Sequence, residues 1–157
     1  MALVVYTGSS CIYPGTNKAS AGVGVYLGHG NRRNFSGRLP GSDQTSQRAE
    51  LSAIKRALLI LGSPSMKPRI EDEPVFIKTR SKYAIGCVTE WPLKWVRNGW
   101  VSSRGLPIAN KDLIIDIITL MLLSPYKVHF IHTPAATDDE SSMRAQAMAF
   151  KAARRSC

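Results

Sequence analysis

The chain opens with an apolar run, Leu3-Val4-Val5-Tyr6-Thr7, that ends in Gly8-Ser9-Ser10-Cys11. A second run, Gly22-Val23-Gly24-Val25-Tyr26-Leu27, follows the turn residues Pro14-Gly15-Thr16-Asn17. The two predict a pair of strands. Asn34 to Leu39 predicts a third strand, closed by Pro40-Gly41. From Ser46 to Leu61 the period changes: Ala49, Ala53, Ile54, Ala57, Leu58 and Leu61 recur at helical spacing. That is an amphipathic helix, stopped by Gly62 and Pro64. Val75 to Thr79 is a short strand after Pro74, and a helix follows from Ser81 to about Val88. Residues 92–98 predict a short basic helix ahead of Gly99-Trp100. Asn110 or its neighbour caps a helix running through Ile114, Ile117, Ile118 and Met121. Lys127 to His132 alternates as a fifth strand, and a last helix runs from about Asp139 to Arg154. Three antiparallel strands followed by alternating helices and strands predict an α/β fold, a five-stranded mixed sheet flanked by helices.

Composition narrows this picture. A chain of 157 residues supports one domain with a real core, expected to span 1–157. The longest apolar stretch, Leu113 to Leu123, is interrupted by Asp116 and reads as a buried helix, so no membrane partner is expected. Within it, Leu120-Met121-Leu122-Leu123 is apolar on more than one face, which fits core or a partner-binding surface. Three cysteines, Cys11, Cys87 and Cys157, lack metal-ligand spacing and imply reduced thiols. With no secretory leader pattern, an intracellular site, nuclear or cytoplasmic, is expected. The formal net charge of +10 points to a polyanionic partner. The charge is also unevenly placed: the first carboxylate is Asp43, and none occurs from Ser141 to the end.

Several strings carry a more specific signal. They are Val5-Tyr6-Thr7, Arg38-Leu39-Pro40-Gly41, Gln44-Thr45-Ser46-Gln47-Arg48-Ala49-Glu50, Trp91…Trp95…Asn98-Gly99-Trp100, Ala109-Asn110-Lys111-Asp112-Leu113 and His132-Thr133-Pro134. In this order and spacing the chain resembles ribonuclease H of the type 1 family over nearly its whole length. The resemblance implies the ribonuclease H-like fold. It also implies a two-metal mechanism, in which four carboxylates hold two Mg²⁺ that cut the RNA of an RNA/DNA hybrid. On this sequence the four ligand positions fall at Gly8, Glu50, Arg80 and Gln146, and a mobile histidine of the family falls at Ala136. Only Glu50 is an acid.

Shifting the correspondence does not rescue the set. Glu73 lies roughly 23 Å of strand from Arg80. Glu140 precedes Gln146 by about 9 Å of helix rise. Asp138, Asp139 and Glu140 suit N-terminal capping of the last helix. The expectation is therefore no catalytic residue, no metal and no cofactor. Arg80 is expected to ion-pair with Glu50, the guanidinium taking the space of the metals. A further expectation is that Arg80 meets a phosphate of bound nucleic acid.

The binding surface implied by the resemblance is better kept. Trp91 and Trp95 match the family's aromatic channel for the DNA strand, with Lys82, Lys94 and Arg97 beside them for phosphates. Thr45 and Asn110 match two members of a DNA phosphate pocket, while its arginine falls near Asp43. Ser46-Gln47 and Ser9-Ser10-Cys11 fall where the family reads RNA 2′-hydroxyls. Three functions remain open. One is a catalytically inactive ribonuclease H1-like module holding RNA/DNA hybrid or double-stranded RNA. A second is an architectural subunit that binds protein in a larger complex. The third is a residual metal-dependent ribonuclease using Glu50 with Asp138, Asp139 or Glu140.

Overall fold

A computed structural model describes residues 3–63, 74–102, 104–124, 126–134 and 139–154. Glu73, Ala136, Asp138 and Cys157 lie outside the described residues. The strands are β1 (Leu3–Ile12), β2 (Ser20–Tyr26), β3 (Phe35–Arg38), β4 (Val75–Thr79) and β5 (Val128–His132). The helices are α1 (Ser46–Leu61), α2 (Lys82–Thr89), α3 (Pro92–Asn98), α4 (Lys111–Leu123) and α5 (Glu140–Arg154). The sheet order is β3-β2-β1-β4-β5, antiparallel among the first three strands and parallel from β1 through β4 to β5. This is the mixed five-stranded sheet the sequence predicts.

The main difference is the length of β1. It continues past Thr7 because Ser9 to Ile12 go on pairing with Val23 to Ser20. Backbone pairing outlasts the apolar pattern there, so periodicity alone stops short. At α4 the expected cap is also different. Asn110 is left-handed at φ 63° and makes no side-chain cap bond, because its amide is used elsewhere, as described below. Thr45 does cap α1, accepting from Arg48 N at 3.1 Å, a bond of the kind whose loss costs about 1 kcal/mol.

One face of the sheet carries the large apolar core. Val5, Val25, Val75 and Ile77 meet Leu51 and Ile54 of α1 and Ile114 and Ile117 of α4, all fully buried. Leu120 and Met121 pack against this cluster, while Leu122 and Leu123 stay exposed, so the apolar run at the end of α4 divides between core and surface. On the other face α5 lies directly on β1, β2 and β3. It can do so because the strands present Gly8, Gly22 and Gly24 and the helix presents Ala145, Ala149 and Ala153. A Cβ at Gly24 would stand 3.0 Å from Ala149 N, and one at Gly8 only 2.6 Å from Gln146 N. Helix backbone therefore rests on strand backbone with no side-chain layer between them.

Candidate nucleic-acid interface

The end of β1, the start of α1, the end of β4 and the middle of α5 meet at one crevice. Gly8, Glu50, Arg80 and Gln146 all line it, with Thr7, Ser9, Thr79 and Ser81. The four positions singled out in the sequence are thus brought together. The crevice has room for about 20 Å³, the space of a single water molecule.

Glu50 is half-buried and its Oε2 accepts from Ser81 Oγ at 2.6 Å. The same hydroxyl accepts from Ala84 N at 2.9 Å as the N-cap of α2. Burial pushes the Glu50 carboxyl above its ordinary pKa, and the Ser81 bond opposes that shift. The expected ion pair between Arg80 and Glu50 is not formed. The carboxylate is held by Ser81, and Arg80 Nε is buried without a hydrogen-bond partner. Ser81 is already fixed by its capping role.

Gln146 has a structural task that a carboxylate could not perform. The β1–β4 pairing ends at Tyr6 and Lys78, so Ser9 has no strand beside it on that side. The Gln146 carboxamide takes that place: its Oε1 accepts from Ser9 N at 3.2 Å and its Nε2 donates to Ser9 O. An aspartate or glutamate accepts only, and would leave the carbonyl unanswered.

These residues do not fit two Mg²⁺ ions. Each ion needs octahedral oxygen ligands and keeps several waters. The crevice offers one carboxylate, one guanidinium and an amide already engaged. Among the described residues no group of three or more His, Cys, Asp or Glu side chains could hold a metal. Asp139 is occupied in capping α5, accepting from Ser141 N at 3.1 Å, and pairs with Lys78 at 3.5 Å. Glu140 pairs with Arg144 one turn on, at 2.9 Å.

Beside the crevice the aromatic residues form a continuous ladder. Ring centroids are 6.3 Å apart for Tyr83–Trp91, 5.9 Å for Trp91–Trp95 and 5.7 Å for Trp95–Trp100. Lys111 Nζ stands 5.3 Å from the Trp100 ring. Lys82, Lys94 and Arg97 are exposed along α2 and α3, and Gln47 is exposed in the first turn of α1.

The group around Asn110 is built on an arginine to which the sequence assigned no role. Asp43 is exposed, Thr45 serves as a cap, and Arg48 gathers Asn110 and Asp112. Its Nη1 donates to Asn110 Oδ1 at 3.3 Å and to Asp112 Oδ1 at 3.0 Å, and its Nη2 donates to Asp112 Oδ2 at 2.5 Å. Those bonds to Arg48 hold the Asp112 carboxyl down to about 2. Asn110 Nδ2 donates to the Tyr83 hydroxyl at 3.1 Å, joining this cluster to the aromatic ladder. A signal existed: Arg48 and Lys55 lie seven apart on α1, Asp112 and Asp116 four apart on α4, and both pairs close.

The strand order and helix placement define a ribonuclease H-like domain. The chain belongs to the RNase H family, whose profile matches residues 1–155. It is 30% identical over 154 residues to "Ribonuclease H1" of Mus musculus, covering 98% of this chain and 51% of that protein. It is 32% identical over 149 residues to "Ribonuclease H" of Anaplasma marginale, covering 92% of this chain and 88% of that protein. The chain thus spans about half the length of the mammalian relatives it matches. In structure it is similar to the foamy viral protease-reverse transcriptase solved in complex with RNA/DNA hybrid. That match has a TM-score of 0.76 and 25% identity, over 97% of this chain and 20% of that one. Type 1 LC9-RNase H1, described as having the type 2 active-site motif, superposes with a TM-score of 0.74 at 20% identity, over 97% of this chain and 72% of that one. Among the described residues no helix is long and apolar enough to cross a membrane.

Proposed function

We propose that this domain holds RNA/DNA hybrid and does not cut it. The observation that carries the reading is the crevice itself. The four positions where the resemblance expects metal ligands line it together, and besides Glu50 they hold a glycine, an arginine and an amide committed to the β1 backbone. Hydrolysis by two metals needs a clamp on both the attacking and the leaving oxygen, and Glu50 alone is no clamp. Binding needs less. The net charge of +10 with the exposed Lys82, Lys94 and Arg97 supplies phosphate attraction, and the aromatic ladder a platform for sugar and base. The relatives' name and the hybrid-bound neighbour support the choice of ligand.

Arg80 takes a backbone phosphate in this reading, since among the described residues its guanidinium has no hydrogen-bond or ion-pair partner. Arg80→Ala then weakens hybrid binding and flattens the plot of log affinity against log salt by about 0.9, one phosphate contact. An unchanged slope removes Arg80 from the interface. The deciding experiment is a pair of assays on the same labelled hybrid: anisotropy at two salt concentrations, and cleavage with Mg²⁺ or Mn²⁺. Binding without cleavage is expected, with duplex RNA and duplex DNA as comparison ligands. Cleavage that Glu50→Gln abolishes would overturn the proposal. Flat isotherms with every nucleic acid would favour an architectural, protein-binding role instead.

A further inference from the structure

β3 is the last strand of the sheet. It pairs with β2 on one side, and among the described residues no strand lies on its outer edge. An open edge of this kind is a template for pairing with another chain, and charge is a common guard against it. Here the guard is of one sign: no carboxylate precedes Asp43, and Arg38 stands exposed on the strand. Two copies of the chain meeting at this edge would oppose like charges, which disfavours self-pairing. An acidic strand meets no such barrier. Beside the edge, a trough of about 300 Å³ lies between β3 and α1 and reaches α4. Its floor is apolar, with Val23, Leu39 and Leu113 buried in it and Leu59 left 43% exposed. Gly37 gives the trough its shape. A Cβ there would come within 2.6 Å of Phe35 Cζ, so the ring lies along its own strand only because residue 37 has no side chain. The Arg56 guanidinium stacks over that ring, 4.2 Å from its centroid. Two cations of the trough are already paired, Arg48 with Asp112 and Lys55 with Asp116. Among the described residues neither Arg56 nor Arg38 makes a hydrogen bond or ion pair.

We propose that the β3 edge and this trough take an extended acidic segment of a protein partner. The segment pairs its backbone with the free edge of β3, sets alternate apolar side chains against Phe35 and Leu59, and gives a carboxylate to Arg56. In strand addition the main-chain bonds supply affinity, and pockets for alternate side chains supply the choice of sequence. Side chains of a strand alternate between faces, so every second residue of the added segment faces the trough. Arg56 suits a carboxylate because its stack on Phe35 fixes the plane of the guanidinium and leaves the N–H fork open. A phosphate backbone would answer the arginines, but not the unpaired amides and carbonyls of the edge or the apolar floor. Arg56 also lies about 12 Å of helix rise beyond Arg48, away from the first turn of α1 and from the aromatic ladder. The docking site is therefore independent of the hybrid reading.

The test titrates the isotopically labelled full chain with short alternating peptides that carry Thr on one face and Val, Leu and Asp on the other, in both sequence directions. Backbone amide shifts followed by NMR are expected at Phe35–Arg38 and along α1 from Ser52 to Leu59. Replacing the peptide's Asp by Asn is expected to weaken binding about tenfold, and Arg56→Gln in the protein removes that difference. N-methylation of one alternate set of peptide amides abolishes binding and the other set is tolerated, because an added strand turns only every second amide to its neighbour. The proposal is refuted if no peptide shifts the β3 amides, if both N-methylated sets fail equally, or if the Asp preference survives Arg56→Gln. Two other occupants are read on the same amides. A dimer that forms through them gives the edge to a second copy, and RNA/DNA hybrid that displaces the peptide from them gives it to nucleic acid; either result overturns the proposal. Failure of the peptides with hybrid binding intact leaves the hybrid reading standing, and the reverse result leaves the docking site standing.

Discussion

Placing a carboxylate at Gly8, where the resemblance puts the first metal ligand, is the sharpest test of the proposed loss of the metal site. Gly8→Asp returns the carboxylate but must place a Cβ 2.6 Å from Gln146 N and closer still to the Ala145 carbonyl group. Favourable contacts between non-bonded atoms begin near 3.5 Å, so the overlap approaches 1 Å and falls on backbone, which cannot rotate away. Neither partner has freedom to yield. Gly8 sits in β1, paired on one side with Gly24, and α5 is seated at the same time on Gly22 and Gly24. Overpacking of a buried site costs about 1–3 kcal/mol. Placing an ion there without a partner adds to it, so the whole change is worth about 3 kcal/mol or more against a typical stability of about 5–15 kcal/mol. Urea unfolding followed by tryptophan fluorescence measures this as a fall in midpoint at constant slope. Gly8→Ala separates the two contributions, since it keeps the Cβ and omits the charge. The same assay on Gly8→Asp with Arg80→Asp and Gln146→Asp is expected to show no stabilisation by Mg²⁺, because a ligand stabilises only a fold that presents its site. If Gly8→Asp lies within about 0.5 kcal/mol of the parent, the range of ordinary surface changes, and Mg²⁺ raises the midpoint of the triple variant, then α5 is not seated as described and the reasoning fails.

Three further outcomes follow from the same contacts. Gln146→Ala strips both bonds from the Ser9 backbone, and two part-buried groups left unmet cost about 1–3 kcal/mol by urea midpoint; a loss under about 0.5 kcal/mol would show that water replaces the amide. Glu50 has its native pKa raised above the ordinary 4.5, so the stability linked to it is complete below pH 4.5 and is lost as pH rises through the native value. Glu50→Gln keeps an acceptor for Ser81 and is therefore expected to be more stable than the parent at pH 7, with the gain vanishing below pH 4.5. A variant less stable at pH 7 would mean that the carboxylate charge is favourable where it stands. Hybrid affinity is expected to be the same in EDTA as in dilute Mg²⁺ at matched ionic strength, and a rise on adding Mg²⁺ would mean that metal bridges the crevice to phosphate.

Much of this was visible in the chain because each element signals itself locally. α1 shows its period and its stop at Gly62, α3 its closing Gly99, and β4 and β5 their alternation. Where the reading fell short, the missing information was tertiary. The end of β1 is polar, so only its partner β2 reveals that it is strand. Arg80 was expected on Glu50 because opposite charges attract. The choice was settled by Ser81, whose hydroxyl was already positioned by Ala84 N. Asn110 was read as a cap from its place before a helix, whereas its amide is shared between Arg48 and Tyr83, residues 62 and 27 positions away. Gly86 carried no signal at all until Trp91 was seen lying on it.

The fold also explains the uneven placement of acid along the chain. The stretch before Asp43 forms β1, β2 and β3, and the stretch after Glu140 forms the rest of α5. These are the parts that pack together, so the two carboxylate-free segments face one another across the sheet–helix contact. Gly8 and Gln146, two positions where the resemblance expects metal ligands, lie where those segments touch. The contact closes with glycine under helix backbone and amide against strand backbone. Glu50, Asp112 and Asp116 are each tied to a hydroxyl or a cation, on Ser81, Arg48 and Lys55. In the proposed binding mode a phosphate backbone at the crevice meets Arg80 and the N-cap of α2, where the other lining groups are neutral apart from Glu50, and that approach is therefore expected to be favourable without an ion.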